Sequence, residues 1–190
     1  MKFKLGLGAA AILAALPAQA DQYTEAIKGF YEAEIMGWAS DPVLIQAILN
    51  QNAQTHELSA DQIIEMDQAW RAEVGTGTTP TITPVLKHPA SDFLRARVAD
   101  YGGQITEIFV MDAQGLNVAA SDVTSDYWQG DEAKHSETYG MGVGGFHVSE
   151  IELDESTQRY QAQVSFTLTD PASGQAVGAM TVGVDAESLM

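Results

Sequence analysis

The stretch Ile108–Lys134, IFVMDAQGLNVAASDVTSDYWQGDEAK, decides how the rest of the chain is read. Its first four residues are β-branched, aromatic or otherwise apolar, the composition of a buried strand. Asp112-Ala113-Gln114-Gly115 is turn chemistry: an Asp bonds its own backbone two residues on, and a Gly takes positive φ. Leu116–Ser121 then reads as the return strand of a hairpin. Past the hairpin, Tyr127 and Trp128 stand side by side among Asp122, Asp126, Asp131 and Glu132. A flat aromatic pair in an acidic turn either plugs a core or walls a pocket, with the carboxylates ready to accept from an ammonium or hydroxyl group.

Downstream the pattern stays that of strands and tight turns. FHVSEIELD reads as a strand, the turn DEST follows, and RYQAQVSFTLTD alternates strictly: Gln161, Gln163, Ser165, Thr167 and Thr169 against Ala162, Val164, Phe166 and Leu168. That period of two marks a half-buried antiparallel strand. DPASG turns it into AVGAMTVGVD. Five antiparallel strands are expected between residues 104 and 185, with a long insert between the second and the third. The glycine-rich YGMGVGG in that insert lacks the Lys-Ser/Thr ending and the strand-to-helix setting of a phosphate loop, and it reads as a lid or hairpin approach.

Upstream the period changes to that of helices. Tyr23, Ile27, Phe30, Tyr31, Ile35 and Trp38 step by three and four, which places them on one stripe. Ser40 or Asp41 caps a second helix that has Pro42 in its first turn. Ser59 caps a third, whose inner face is Ile63, Met66 or Asp67, and Trp70, and which Gly75 ends. Residues 76–84, rich in Thr and Pro, read as loop. A last helix runs from about Pro89, with Ser91 as a candidate cap, to a stop at Gly102. Helices over 21–75 followed by strands over 104–185 predict an α+β fold.

Residues 1–20 have the three-part form of a secretory signal peptide: basic MKFK, an apolar run, and AQA before Asp21. The apolar run is shorter than the ~20 residues that span a bilayer. Removing residues 1–20 leaves 170 residues as a single domain, exported to the periplasm and not spanning the membrane. The formal charge of −17 becomes −19, because Lys2 and Lys4 leave and every acid stays. Such a surface repels nucleic acid. With no cysteine, disulfides, thiolate metal sites and cysteine nucleophiles are excluded.

The hairpin with its aromatic–acidic loop, together with YQAQVSFTLTDPASGQAVGAMTVGVD, resembles the Cache family of extracytoplasmic PAS-like sensor domains. WASDPVLIQAILNQN resembles the family's N-terminal helix. The resemblance covers nearly all of residues 21–190. It implies a five-stranded antiparallel PAS-like sheet with a long helix packed on one side, and a small ligand held between the sheet and the loops after its second strand. It also implies signalling, which in a free-standing domain runs through a separate membrane receptor.

On this reading the ligand contacts are Tyr127, Trp128, Asp126 and Asp131 from the loop, Arg95 from the last helix, and Asn117 and Tyr160 from strands. Arg95 or Arg97 can clamp a carboxylate, but residues two apart point to different sides of a helix, so only one faces the sheet. Arg71 and His147 are weaker candidates. The ligand class is organic acid, amino acid or amine. No cofactor is called for. The histidines at 56, 88, 135 and 147 lack metal-ligand spacing, and the acidic loop offers only oxygen ligands for a loosely held divalent cation. No nucleophile elbow, zinc-hydrolase helix or Ser-His-Asp set is present, so no catalysis is expected. The alternative is a protein-interaction module that dimerises through the Tyr23–Trp38 stripe.

Overall fold

The computed structural model describes residues 17–154 and 159–189. Most of the expected signal segment, and most of the expected turn at residues 154–157, lie outside the described residues. Helix α1 (Pro17–Phe30) passes through a π-helical turn at Tyr31–Ile35 into α2 (Met36–Ala39). Asp41 then caps α3 (Pro42–Thr55) by accepting from the Val43 N–H at 2.9 Å, with Pro42 in the first turn as the sequence predicts. A full capping box, Ser59 with Gln62, starts α4 (Ala60–Glu73).

Residues 76–84 are not all loop. Ile82–Leu86 form α5, with Ile82 and Val85 buried. The cause is non-local: the Glu73 carboxylate, at the end of α4, accepts from the N–H groups of Thr81 and Ile82 at 2.8–3.0 Å and caps the short helix. In α6 (Pro89–Asp100) the cap is His88, whose Nδ1 accepts from the Ala90 N–H, and not Ser91. Ser91 is fully buried. Its hydroxyl donates to the Val85 carbonyl and accepts from the Ala120 N–H, tying α5 and α6 to the sheet.

The sheet follows: β1 (Ile105–Met111), β2 (Asn117–Ala120), β3 (Phe146–Val148), β4 (Glu152–Asp154), β5 (Arg159–Thr169) and β6 (Ala176–Asp185). Its order is β2-β1-β6-β5-β3, all antiparallel, with β4 also on β5. Strands β3 and β4 share one edge of β5, against 164–166 and 159–161, so FHVSEIELD makes one broken edge strand and the sheet has five ranks. This is the α+β, PAS-like arrangement expected: long N-terminal helices on a five-stranded antiparallel sheet.

The near face of the sheet carries the main core. Ile108, Val110, Val164, Phe166, Leu168, Met180, Val182 and Val184 pack on Ile27, Ile35, Leu44, Ile48 and Leu94. The aromatic stripe of the first helix belongs to this core: Tyr23, Phe30, Tyr31 and Trp38 pack against it, and Tyr31 meets Phe166 at 4.6 Å between ring centres. The stripe proposed for dimerisation is thus turned toward the chain's own sheet, while Met36 on the same helix is exposed.

The far face differs from the sequence expectation in one respect. The alternation of β5 is real, yet its polar side is not the solvent side. Gln161 is buried, Ser165 is fully buried, and Ser165 and Thr181 hydrogen-bond to each other at 2.9 Å. The insert between β2 and β3 folds back over them. Its short helix α7 (Ala133–Ser136) and the 3₁₀ turn at Tyr139–Met141 lie against β5 and β6.

Candidate ligand-binding site

A cavity of about 380 Å³ lies between this polar face and the insert. Its floor is Glu107 and Phe109 of β1 and Gln163 of β5. Its roof is Val123, Thr124, Ser125 and Gln129, with Lys134 of α7 on one side and Val74 and Gly75, just past α4, on the other. The size falls in the range that accommodates small metabolites.

The floor is polar because the odd residues of β5 face this way. The amides of Gln161 and Gln163 both donate to one oxygen of Glu107, at 3.1 and 3.0 Å. Lys134 reaches over the floor. Its side chain is only 17% exposed, its Nζ stands 5.5 Å from the centre of the Phe109 ring, and it pairs with Glu132 at 3.0 Å. A cation held over an aromatic face at a low-exposure site is positioned for an anionic partner.

The roof is held by a second layer of bonds. Trp70 Nε1 donates to the Thr124 carbonyl at 2.9 Å. The Asn117 amide donates to Thr124 Oγ1 and to the Asp126 carbonyl. One oxygen of Asp67 accepts from the N–H groups of both Tyr127 and Trp128, at 2.9 and 3.0 Å. Arg71 bridges the other Asp67 oxygen, at 2.6 Å, to Asp126 at 3.2 Å. Gln129 sits at the centre, buried, and its Nε2 donates to Asp126 Oδ1 at 2.6 Å and to the Asp126 carbonyl at 3.2 Å.

The structure places the sequence-predicted residues as follows. Tyr127 is buried and stacks on Trp70 at 5.2 Å between ring centres, within a cluster of Ile63, Ile82, Val85 and Leu116. Burial, with the Asp112 charge adding to it, pushes the Tyr127 phenol up to about 12. Trp128 packs on the same cluster and donates from Nε1 to the Gln114 carbonyl. Both rings therefore plug the core beneath the loop, and the flanking residues 123–125 and 129 make the roof. Asp126 and Asn117 hold that roof from behind, while Asp131 is exposed.

Arg95 pairs with Asp92 along the surface of α6, and Arg97 with Asp100, so neither lines this cavity. Tyr160 is exposed, beside a separate hollow formed with Gly102, Gly103, Gln104 and Asp185 at the end of the sheet. His147, on β3, bonds Glu137 at 2.9 Å and is not among the residues lining this cavity. Among the described residues no group of three or more metal-type ligands comes together.

Glu107, Gln129, Lys134 and Gln163 were not singled out from the sequence. The polar alternation of β5 was the available signal for Gln163. It required only the recognition that a long insert must cover some face of the sheet.

No family model matches the sequence, and no curated protein matches it. Solved structures do. The chain is similar to the sensor domain of the Vibrio cholerae histidine kinase DctB, at 13% identity and a TM-score of 0.49, over 90% of this chain and 55% of that one. It is similar to the sensory domain of the Campylobacter jejuni chemoreceptor Tlp3 with isoleucine bound, at 12% identity and a TM-score of 0.42, over 93% of this chain and 66% of that one. The Escherichia coli DcuS sensor domain matches at 14% identity and a TM-score of 0.40, over 68% of this chain and 90% of that one. All three are sensor or sensory domains, and the chain spans little more than half the length of the first.

Proposed function

We propose that this protein is a small-molecule-binding sensor domain whose ligand carries a carboxylate. The observation that supports it is Lys134, a mostly buried cation on the wall of a cavity whose floor is polar. A largely covered ammonium whose present partner is a neighbouring, 40%-exposed Glu132 is in reach of a ligand carboxylate that enters the cavity. Phe109 and Val123 supply the apolar contact that a short carbon chain needs. Of the ligand classes expected from sequence, this favours organic acids and amino acids over simple amines.

The domain organisation belongs to the same reading: a signal segment over 1–20, cleaved before Asp21, and one exported domain that reports occupancy to a membrane partner. The insert bearing Lys134 spans the cavity and rests on β5 and β6, so closing it on a ligand is the event a partner would read. No reaction is assigned to the site.

The test is a thermal-shift screen of short mono- and dicarboxylates and amino acids. A ligand at 100 times its dissociation constant adds about 2.7 kcal/mol. At least one such compound stabilises the wild type, and Lys134→Gln removes that shift while keeping the unliganded melting point. If no carboxylate stabilises the wild type, or if Lys134→Gln responds as the wild type does, the reading fails.

A further inference from the structure

We propose that the free edge of the sheet, at β3, docks a basic extended segment of a partner chain. The inference does not depend on what occupies the cavity.

The two edges of the sheet are unequal. The chain itself closes the β2 edge: the Asn117 N–H donates to the Tyr127 carbonyl, and the Ala120 N–H to the Ser91 hydroxyl. At the other end the strand order stops at β3, with no strand beyond it among the described residues. The Thr167 N–H donates to the Gly145 carbonyl and the Ser149 N–H to the Gln163 carbonyl, at 3.0 and 2.9 Å, so the odd residues of this edge bond β5. Antiparallel pairing alternates, and the N–H and C=O groups of Phe146 and Val148 therefore point away from β5. Val148 faces Val164 while Glu152 faces Gln161, so the edge carries one residue more than β5 between them. That bulge ends the regular run and keeps the docked segment short.

Side chains define the partner. Lys and Pro are residues that blunt exposed edges, and residues 135–158 contain neither, nor any Arg. They carry instead Glu137, Glu150 and Glu152, all exposed. Met141 and Val143, 72% and 63% exposed, are the most exposed large apolar side chains among the described residues. With Phe146 and Glu137 they line a hollow of about 480 Å³ beside the edge. An added strand takes affinity from its main chain and specificity from alternate side chains. Here an apolar side chain enters the hollow and basic ones face the three carboxylates. A second copy fits poorly, because it sets the same acids against each other in a chain of 26 acidic and 9 basic residues. The acids thus bar self-pairing and admit a cationic strand. Glu137 also closes α7, the helix bearing Lys134, and bonds His147 on β3, so the partner meets the helix that walls the cavity.

The experiment uses the full chain and three short capped peptides: alternating Lys and Val, the same residues in blocks, and alternating Glu and Val. Fluorescence anisotropy should show the alternating Lys–Val peptide binding at least about tenfold more tightly than the block peptide, and the Glu–Val peptide not binding. Hydrogen exchange should slow at the Phe146 and Val148 amides and not along β2. Val148→Pro deletes an outward N–H without touching the β5 ladder, and should weaken the alternating peptide at least about tenfold. Should that variant not fold, E150K/E152K decides the matter: both positions are exposed, and binding should fall by a similar factor.

Equal binding of the alternating and block peptides overturns the proposal, since any cation would then serve on an acidic surface. Protection away from Phe146 and Val148 overturns it as well. So does unchanged affinity in Val148→Pro or, where that variant does not fold, in E150K/E152K. A wild-type dimer in sedimentation that Val148→Pro dissociates also overturns it, because the edge then serves a second copy. None of these results bears on carboxylate binding at Lys134, so the two readings stand or fall separately.

Discussion

Asp112 shows how one side chain can hold a hairpin. It ends β1, is fully buried, and spends its oxygens on four donors: the N–H groups of Gln114 and Leu116, the Thr55 hydroxyl and the Gln51 amide. The first two close the turn; the other two bind that turn to α3. Replacing Asp112 with Ala leaves the turn N–H groups of Gln114 and Leu116 without their acceptor and loosens the tie to α3, and chemical denaturation should show a loss of about 2–3 kcal/mol. Gly178 makes a comparable point by having no side chain. A Cβ there would run into the Met111 carbonyl across the β1–β6 ladder and press on Ile48. Gly178→Ala should therefore cost about 1–3 kcal/mol by forcing strand and helix apart, again read by denaturation. The turn at Asp112 was legible in the sequence because Asp-x-x-Gly is local chemistry. The burial of its carboxylate against α3 was not, because Thr55 and Gln51 lie some sixty residues away.

At the scale of elements, α4 and α7 govern the roof. Helix α4 grips the 124–129 loop through Asp67, whose carboxylate caps the N–H groups of Tyr127 and Trp128. Asp67→Ala should release that loop: amide exchange at 127 and 128 accelerates and stability falls by about 2–3 kcal/mol, measured by hydrogen exchange and denaturation. Arg71 is more than half exposed, so Arg71→Gln should cost well under 1 kcal/mol while still loosening Asp126.

Helix α7 carries a pH dependence. His135 is buried, its Nε2 against the Asp112 carbonyl, with Tyr139 stacked on the ring and Lys134 beside it in sequence. Burial lowers its pKa, and the Asp112 carbonyl and charge only partly offset that. A histidine with a lowered folded pKa contributes stability that is present above its unfolded value, near 6.5, and is lost as the pH falls through the folded value. The melting temperature should therefore drop on acidification from pH 7 toward pH 5, and His135→Gln should flatten that slope. The sequence showed α4 through its Ser59 cap and its period; it did not show α5, whose cap, Glu73, belongs to the preceding helix.

For the whole molecule the dominant quantity is charge. With 26 acidic and 9 basic residues, the surface repels itself. The Debye length falls from about 30 Å at 0.01 M salt to about 8 Å at 0.15 M. Melting temperature should accordingly rise between these two conditions, as like charges across the surface are screened; a flat or falling response would mean that the acids are locally compensated. Among the described residues no helix is long and apolar enough to cross a membrane.

Where an interaction lies within a few residues, the sequence alone determined the outcome. Helix stripes, caps, the Asp112–Gly115 turn and the alternation of β5 all follow from backbone periodicity and side chains reaching their nearest neighbours, and together they specify helices followed by an antiparallel sheet. Which face of that sheet is covered, and by what, was decided only in three dimensions. Folding the insert over the polar side of β5 turned Gln163 and Glu107 into a cavity floor, drew Lys134 inward, and sent Tyr127 onto Trp70 while Gln129 took the roof. These contacts join residues far apart in the chain, and the free energy of burying one ring instead of its neighbour depends on the shape of a core that no local pattern encodes.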